Sequence, residues 1–188
     1  MARTPRLFVV SGPSGAGKGT LLSMVRKRRP DLGLTVSATT RPPRPGEVDG
    51  VSYHFLSEDE FARRVTNGEF LEWAHVHGHC YGTLRSEVDK RISSGQSVVL
   101  EIDVQGALNV RHVYPDAVLV FIEPPSMEVL EQRLRGRGTE DEASLELRLS
   151  NARREMEFAP RYDARVVNDD AEVASRELEA TFERFESE

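Results

Sequence analysis

The apolar residues of this chain form short runs that alternate with stretches of helical spacing. Short apolar runs bounded by turn residues are typical of buried strands. They are found at 7–10, 33–37, 97–103, 117–122 and 164–168. Helical spacing begins at Leu21 and returns over 104–113, from 127, over 141–158 and over 170–185. This order favours an α/β fold with a three-layer α/β/α core around a parallel sheet.

Two segments depart from the alternation and are predicted to be insertions. Residues 37–96 form a polar, mixed α+β insertion, and residues 127–157 form a small helical one. Within the first we predict strands over 51–55 and 69–76, helices over 57–65 and 84–93, and a turn at 81–83. The core would then consist of residues 5–36, 97–126 and 158–188.

The stretch between the first strand and the first helix has the pattern of a phosphate-binding loop. It consists of Gly12, Pro13, Ser14, Gly15, Ala16, Gly17, Lys18, Gly19 and Thr20. Its glycines allow consecutive N–H groups to point into one concavity, and the following helix adds its partial positive N-terminus. A Gly-rich loop without a ligand is the alternative. Gly19 stands where such loops usually carry a Ser or Thr that ligates Mg²⁺, so we expect Mg²⁺ to be bound mainly through phosphates and water.

The charge distribution indicates a focused anion site. The chain has 188 residues, 38% of them hydrophobic, and a formal net charge of −6. Residues 1–45 nevertheless contain nine Lys or Arg against one acid, Asp31. This asymmetry argues against a general nucleic-acid surface and for an anion site in the N-terminal third.

Hydropathy and cysteine content predict a cytoplasmic protein. The apolar runs are too short to span a membrane, and the four apolar residues before Ser11 are too few for the core of a signal peptide. The single cysteine, Cys80, excludes an internal disulfide and fits a reducing compartment. We therefore expect no membrane or nucleic-acid partner, and the choice between a monomer and a homo-oligomer stays open.

Three prolines hold the segment 41–46 extended. At about three residues per turn of polyproline helix, Arg41 and Arg44 would project from the same side, roughly 9 Å apart. Two guanidinium groups placed in this way can bind one phosphate from two directions. A solvated Pro-rich loop is the alternative.

Glu72 lies within an apolar strand pattern. Alternation along the strand predicts that it shares a face with Phe70, Ala74 and Val76. A carboxylate among apolar neighbours must find a partner or lose its charge. That partner would be either an internal arginine or a ligand that offers paired N–H donors.

Two further groups of charged residues follow predicted core strands. Glu101 and Asp103 lie at the carboxyl end of a strand, where an open parallel sheet binds its ligands, or else cap the next helix. Arg133, Arg135 and Arg137 lead into a Gly-punctuated turn, with Arg148 on the helix beyond it. This pair of helices is predicted to be a lid over phosphates or, alternatively, a solvated hairpin.

A run of alternating histidines precedes the cysteine. His75, His77, His79 and Cys80 suggest a metal site, but no matching ligand pair occurs elsewhere in the chain. Three histidines in such an arrangement are more often strand and turn residues. We therefore predict no protein-bound metal site here.

Taken together, these motifs resemble the guanylate kinase family from about Arg6 to the C-terminus. The motifs are GPSGAGKGT (12–20), SATTRPPRPGE (37–47), EFLEWAHVHG (69–78), YGT (81–83), EIDVQG (101–106), FIEPPS (121–126), RLRGRGTE (133–140) and VVNDD (166–170). A phosphate-binding loop alone occurs in many families, whereas this ordered set is highly specific.

The resemblance implies a nucleoside monophosphate kinase with a P-loop core, a GMP-binding insertion at 37–96 and a lid at 127–157. The implied reaction is Mg²⁺-dependent transfer of the γ-phosphoryl group of ATP to GMP or dGMP, which gives ADP and GDP. The implied partners are the nucleotides ATP and GMP.

The resemblance also assigns roles to residues of this chain. The catalytic residues would be Lys18, Arg41, Arg133, Arg137 and Arg148. ATP would be bound by the loop at 12–20 and, near its adenine, by Asn168. The GMP phosphate would be held by Ser37, Arg41, Arg44, Tyr53 and Tyr81. Guanine would be bound by Glu72, Thr83 and Asp103, and Glu101 is also counted in the GMP site.

Two other functions compete with this interpretation. A guanylate-kinase-like protein-interaction module would keep the fold but have a degraded phosphate loop, whereas Lys18, Arg41 and Arg44 are all present here. A kinase for another nucleoside monophosphate is disfavoured by Glu72 and Thr83. The enzyme is therefore the expected function.

Overall fold

A five-stranded parallel sheet lies at the centre of the computed structural model, which describes residues 3–76, 78–136 and 142–188 and, of Leu34 and Val76, the backbone alone. The strands are β1 (Leu7–Ser11), β2 (Gly33–Leu34), β3 (Ala38–Thr39), β4 (His54–Phe55), β5 (Phe70–Val76), β6 (His79–Leu84), β7 (Val98–Glu101), β8 (Val118–Glu123) and β9 (Ala164–Val167). The central sheet has the order β2-β7-β1-β8-β9, and each neighbouring pair is parallel. The predicted α/β class is confirmed.

Helices cover both faces of this sheet. They are α1 (Lys18–Arg28), α2 (Glu58–Thr66), α3 (Arg85–Ser93), α4 (Val104–Val113), α5 (Met127–Arg135), α6 (Glu142–Met156) and α7 (Ala171–Glu186), with a short 3₁₀ turn at Ala159–Arg161. Phe8 and Val10 of β1 pack with α1 and α7, whereas Leu7 and Val9 pack with α3 and α4. Because β1 is buried on both faces, it reads as a continuous apolar run.

A second sheet is built from the segment between β2 and α3. Its order is β4-β3-β6-β5, with β3 and β4 parallel and the other pairs antiparallel. Helix α2 closes one face, where the ring of Phe61 stacks on Phe70 at 4.4 Å between centroids. The opposite face of β5 and β6 carries the polar residues of the candidate site.

Helices α5 and α6 form a small unit beside the phosphate loop. Leu130 and Leu134 of α5 pack against Leu145, Leu149 and Ala152 of α6. The apolar spacing predicted for α6 is therefore the face buried against α5. Within the described ranges, no helix is both long and apolar enough to cross a membrane.

Several predicted boundaries were wrong, and two strands, β3 and β6, were missed. Helix α1 begins at Lys18 rather than Leu21, because Gly17 at φ 91° is its N-cap. Residues 81–83 were predicted as a turn but lie in β6, because the chain reverses near Gly78 at φ 83°. Strand β7 ends at Glu101, since the Asp103 side chain caps α4 by accepting from the Gly106 amide.

Candidate active site

The phosphate loop follows β1 and lies in close contact with β8 and with the residue that follows β9. A Cβ added at Gly12, where φ is 144°, would lie 2.2 Å from the Ile122 carbonyl oxygen of β8. At Gly17, where φ is 91°, it would lie 2.3 Å from Asn168 Nδ2 beyond β9. Only glycine combines these dihedral angles with such close approach. The loop therefore has its shape before any ligand is bound.

The Lys18 side chain is hydrogen-bonded to the backbone at the start of this loop. Its Nζ donates to the carbonyl oxygens of Gly12 at 2.6 Å and Pro13 at 3.2 Å. The loop borders a cavity of about 310 Å³, whose lining residues are Ser14, Gly15, Gly17, Lys18, Gly19, Thr20 and Glu101. A lysine cation and the N-terminus of α1, both of which favour anions, border this cavity.

Glu101 lies beside this loop as well as beside the second sheet. Its carboxylate oxygens are 3.5 and 3.7 Å from the position that a Cβ on Gly19 would take. A second cavity of about 200 Å³ is also bordered by Gly19 and Glu101, together with Ser37 and Thr83. The two cavities thus adjoin, and Glu101 is common to both.

Arg41 is fixed by contacts on several sides. Its Nη2 donates to the Glu47 carboxylate at 2.7 and 2.9 Å, and its Nη1 donates to the Pro42 carbonyl at 2.7 Å. The guanidinium carbon lies 5.5 Å from the centroid of the Tyr53 ring. The hydrogen bond to Glu47 raises the pKa of Arg41, and the same bond lowers the pKa of Glu47.

Glu47 also shapes the loop around Arg44. Its Oε2 accepts from the Arg44 amide at 2.7 Å, and its own amide donates to the Arg44 carbonyl at 3.0 Å. The Arg44 side chain is exposed. Glu47 belongs to the motif at 37–47, but no role was predicted for it. The available signal was an acid directly after Gly46 and three positions after Arg44.

Tyr53 and Tyr81 lie together near Arg41. Their ring centroids are 6.2 Å apart with an edge-to-face orientation. Ser37 is half-buried, and its carbonyl accepts from the His54 amide at 2.9 Å. Because β3, β4 and β6 are neighbours in the second sheet, residues distant in sequence meet here. Four of the five residues expected to hold the GMP phosphate thus come from adjoining strands or their ends.

Glu72 is 9% exposed and hydrogen-bonded to a buried threonine. Its Oε1 accepts from Thr83 Oγ1 at 2.7 Å. Burial raises the pKa of the Glu72 carboxyl, and the nearby Asp103 charge acts in the same direction, while the Thr83 bond opposes them. Among the described residues Glu72 forms no ion pair with an arginine. The internal arginine that the sequence suggested as a partner is thus not found in this part of the chain, and a ligand for Glu72 stays a prediction.

The face predicted for Glu72 was partly wrong. The register of β5 and β6 shifts between Phe70 and Glu72, so that Phe70 pairs with Leu84 and Glu72 with Thr83. A β-bulge at this point places Phe70 with the α2 cluster and Glu72 on the opposite face. Simple alternation could not anticipate the extra residue.

Asp103 caps helix α4, as one of the two predictions for it stated, and it also lies close to Glu72. Its Oδ1 accepts from the Gly106 amide at 2.7 Å, and its carbonyl accepts from Ser11 Oγ at 3.4 Å. A Cβ on Gly106 would lie 3.4 Å from both Asp103 Oδ1 and Glu72 Oε2. The start of α4 therefore lies directly against the Glu72 carboxylate.

The arginines of the predicted lid have different surroundings. Arg148 Nη1 donates to Ser14 Oγ at 3.5 Å, which brings α6 onto the phosphate loop. Arg133 donates to the carbonyl of Asn168 at 2.9 Å. Arg135 instead pairs with Glu131 and Glu142 and joins α5 to α6. Arg137 lies outside the described residues.

Asn168 contacts the phosphate loop. Its Nδ2 donates to the Ala16 carbonyl at 2.7 Å, whereas the buried Oδ1 has no partner among the described residues.

The alternating histidines that precede Cys80 form no cluster of metal ligands among the described residues. His75 pairs with Cys80 across β5 and β6, and His77 lies outside the described residues. No group of three or more metal-ligand side chains occurs in residues 3–76, 78–136 and 142–188.

Comparison with known proteins finds close relatives along almost the whole chain. A family model described as guanylate kinase matches residues 4–185. The guanylate kinase of Gloeobacter violaceus (strain ATCC 29082 / PCC 7421) is 54% identical over 174 residues, which cover 93% of this chain and 85% of the relative. That of Synechococcus sp. (strain CC9311) is 50% identical over 174 residues and covers 93% and 92%.

Solved structures agree with these sequence matches. The crystal structure of guanylate kinase from Anaplasma phagocytophilum has a TM-score of 0.75 at 32% identity and covers 99% of this chain and 88% of that one. A gluconokinase from Sinorhizobium meliloti 1021 shares the fold alone, with a TM-score of 0.52, 19% identity and coverage of 98% and 95%. On the extent of the family match and the identity of the relatives, the chain belongs to the guanylate kinase family.

Proposed function

We propose that this protein transfers the γ-phosphoryl group of ATP to GMP and dGMP, giving ADP and GDP, with Mg²⁺ as cofactor. The observation that carries the proposal is the pair of adjoining cavities that share Gly19 and Glu101. One has the lysine and glycines of a phosphate loop, and the other reaches Thr83, the partner of Glu72. Two nucleotides bound there would meet phosphate to phosphate.

The buried carboxylate supports guanine as the acceptor base. An ionised Glu72 can accept from N1–H and from the exocyclic amine of guanine together, and adenine lacks this donor pair. Binding AMP would leave a buried acid unpaired, which can reject a substrate by several orders of magnitude. Thr83 holds one carboxylate oxygen and so limits rotation of the acceptor pair.

The chemistry requires no general base from the chain. The GMP phosphate is already an ionised nucleophile near neutral pH, so the residues need only hold two anions in line and stabilise the charge that spreads in the transition state. Lys18 and the loop amides would bind the ATP phosphates. Arg41 and Arg44 would bind the GMP phosphate, and Arg133, Arg137 and Arg148 would approach from the lid.

The residues beside the phosphate loop are compatible with Mg²⁺. Glu101 supplies one carboxylate next to Gly19, and a magnesium site of this kind needs few protein ligands because phosphates and waters complete an octahedral shell. When bound, Mg²⁺ would neutralise charge on the bridging phosphates. We assign Glu101 to this role in addition to its expected place in the GMP site.

The proposal also assigns a role to each part of the chain. Residues 37–96 would bind GMP, residues 127–157 would close as a lid, and the remaining core would bind ATP. The buried Oδ1 of Asn168, which has no partner in the part of the chain that the structure describes, is an acceptor that an N–H donor of the ATP base could use. A cytoplasmic location, expected from the single cysteine, stays a prediction.

A coupled assay of ADP release tests the proposal. GMP, dGMP, AMP, CMP, UMP and dTMP are offered separately with ATP and Mg²⁺. We expect rapid turnover of GMP, slower turnover of dGMP and little of the others. The Glu72→Gln variant should raise the KM for GMP far more than the KM for ATP. Equal turnover of AMP and GMP by the wild type would show that Glu72 does not select guanine over adenine.

A further inference from the structure

Asn168 is a buried residue whose two amide atoms have different surroundings. The residue is 4% exposed and directly follows β9. Its Nδ2 donates to the Ala16 carbonyl at 2.7 Å, across 152 positions of sequence. A buried acceptor without a partner costs stability, and within residues 3–76, 78–136 and 142–188 Oδ1 is such an acceptor. The N–H donor is therefore the part of the side chain that the fold uses.

The backbone of Asn168 is itself held on both sides. Its amide donates to the Glu123 carbonyl at the end of β8 at 2.8 Å. Its carbonyl accepts from Arg133 Nη2 of α5 at 2.9 Å. These contacts limit movement of the side chain, so Asn168 is held in place where it contacts the phosphate loop.

The bond to Ala16 determines how one peptide group of the loop is turned. In a planar trans peptide the C=O of one residue and the N–H of the next point in opposite directions. With the Ala16 oxygen directed at Asn168, the Gly17 N–H points away from Asn168. That N–H has no partner among the described residues, and Gly17 lines the phosphate-loop cavity.

Gly17 leaves little room for an alternative arrangement. Its φ of 91° makes it the left-handed N-cap of α1, directly before Lys18. Because a Cβ there would lie 2.3 Å from Nδ2, the amide group and the loop backbone are in direct contact. A change in the Asn168 side chain would thus alter the backbone position of Gly17, directly before Lys18, the first residue of α1.

We propose that Asn168 is a positioning residue for polyphosphate binding, because its Nδ2 holds the Ala16–Gly17 peptide with the Gly17 N–H directed at the ligand. This inference rests on the proposed function only in taking the loop as the triphosphate site. It differs from the role near adenine, since it involves Nδ2 rather than Oδ1 and concerns the phosphates rather than the base.

The test measures binding of two probes to the purified full-length protein by calorimetry. The probes are ATP and inorganic tripolyphosphate, each with Mg²⁺, and the variant is Asn168→Asp, which keeps the shape but sets an oxygen against the Ala16 carbonyl. We expect the Kd of both probes to rise about tenfold or more, as for loss of a buried hydrogen bond. The Kd for GMP should stay within about twofold. Asn109→Asp on the exposed side of α4 is the matched control and should change neither.

Three results would overturn the inference. Weaker ATP binding with unchanged tripolyphosphate binding would show that Asn168 contacts the base. Unchanged affinity for both probes would show that the loop does not need the bond. Equal losses for tripolyphosphate and GMP would indicate a general structural defect. If Asn168→Asp does not fold, Asn168→Ala removes the donor without adding a charge and is judged by the same three comparisons.

The inference and the proposed function can fail separately. If the Asn168 variants bind tripolyphosphate more weakly than the wild type but the wild type does not phosphorylate GMP, the function alone is contradicted. A wild type that phosphorylates GMP while the Asn168 variants bind tripolyphosphate normally would contradict the inference alone.

Discussion

Thr83 Oγ1 donates a 2.7 Å hydrogen bond to Glu72 Oε1, and this pair directly follows the register shift between β5 and β6. Thr83 is 1% exposed and Glu72 9%. The bond orients a carboxylate that has no arginine partner among the residues that the structure describes. A buried acid prepared in this way is suited to a ligand with two adjacent N–H donors, and the first prediction concerns its charge.

Guanosine binding should depend on the ionisation of Glu72. Burial raises the pKa of its carboxyl, so the group takes up a proton at a higher pH than an ordinary glutamate. Only the ionised form accepts from both guanine donors. We expect the affinity for guanosine, measured by calorimetry, to fall as the pH is lowered through this raised pKa. Guanosine is used because it has no phosphate that titrates in the same range.

The Glu72→Gln variant is the control for this pH dependence. It should bind guanosine at least about tenfold more weakly at neutral pH, because one guanine donor then faces an amide N–H. Its affinity should no longer change in the acidic range. A wild-type affinity that is constant down to the ordinary carboxyl range would show that Glu72 is not the group that contacts guanine.

Glu47→Gln should weaken GMP binding through Arg41. The carboxylate holds Arg41 Nη2 and the Arg44 amide, and an uncharged side chain would hold both less firmly. We expect the KM for GMP to rise about tenfold, as for a hydrogen bond to a charged group. The KM for ATP should be unchanged in steady-state assays.

A decrease in the KM for GMP in the Glu47→Gln variant would contradict this prediction. If Glu47→Gln lowered the KM for GMP, the carboxylate would be a competitor of the substrate phosphate rather than a support for Arg41. Glu60→Gln serves as the comparison, because Glu60 pairs with Arg63 and Arg64 on α2. It should alter neither KM.

Glu101→Gln should raise the Mg²⁺ concentration needed for half-maximal activity. Replacing the carboxylate beside Gly19 removes a negative charge and an oxygen ligand that a hard cation prefers. We expect a shift of about tenfold in a Mg²⁺ titration at saturating ATP and GMP. Glu177→Gln, on an exposed position of α7, should leave the titration unchanged. An identical titration curve for Glu101→Gln would remove Glu101 from the magnesium site.

Glu186→Gln should destabilise the protein without changing its chemistry. Glu186 is 1% exposed and pairs at 3.0 Å with Arg29, which is 5% exposed. Arg29 keeps its 2.6 Å bond to Asp31 in this variant, so its charge stays partly compensated, and we expect a loss of about 2 kcal/mol, as for a hydrogen bond between charged groups. Urea unfolding should show this loss, while the KM for GMP stays unchanged.

Glu183→Gln provides the surface comparison for Glu186. Glu183 pairs with Arg3 at 3.0 Å and more distantly, at 3.9 Å, with Arg29, but its side chain is 46% exposed, and exposed pairs contribute only about 0–1 kcal/mol. Equal destabilisation by the two substitutions would show that burial of the Arg29–Glu186 pair has no special effect.

The sequence predicted elements more reliably than boundaries. The apolar run of β1 was recognisable because both of its faces are buried, and the Gly-rich loop after it has a strong local signature. Strand β6 was mistaken for a turn, since Tyr81, Gly82 and Thr83 have turn-like composition and the strand exists only through its pairing with β5. Pairing is a long-range property that local composition does not encode.

The sequence by itself determined the alternating α/β order, the phosphate loop and the presence of an acid among apolar residues at Glu72. Each of these depends on neighbouring residues or on spacing within one element, so the pattern is visible in the chain. Only the tertiary structure decided that Thr83 is the partner of Glu72, that Glu47 holds Arg41, and that Asn168 supports Ala16. These contacts depend on register shifts, loop folding and the order of strands in a sheet, which bring together side chains that no local pattern connects.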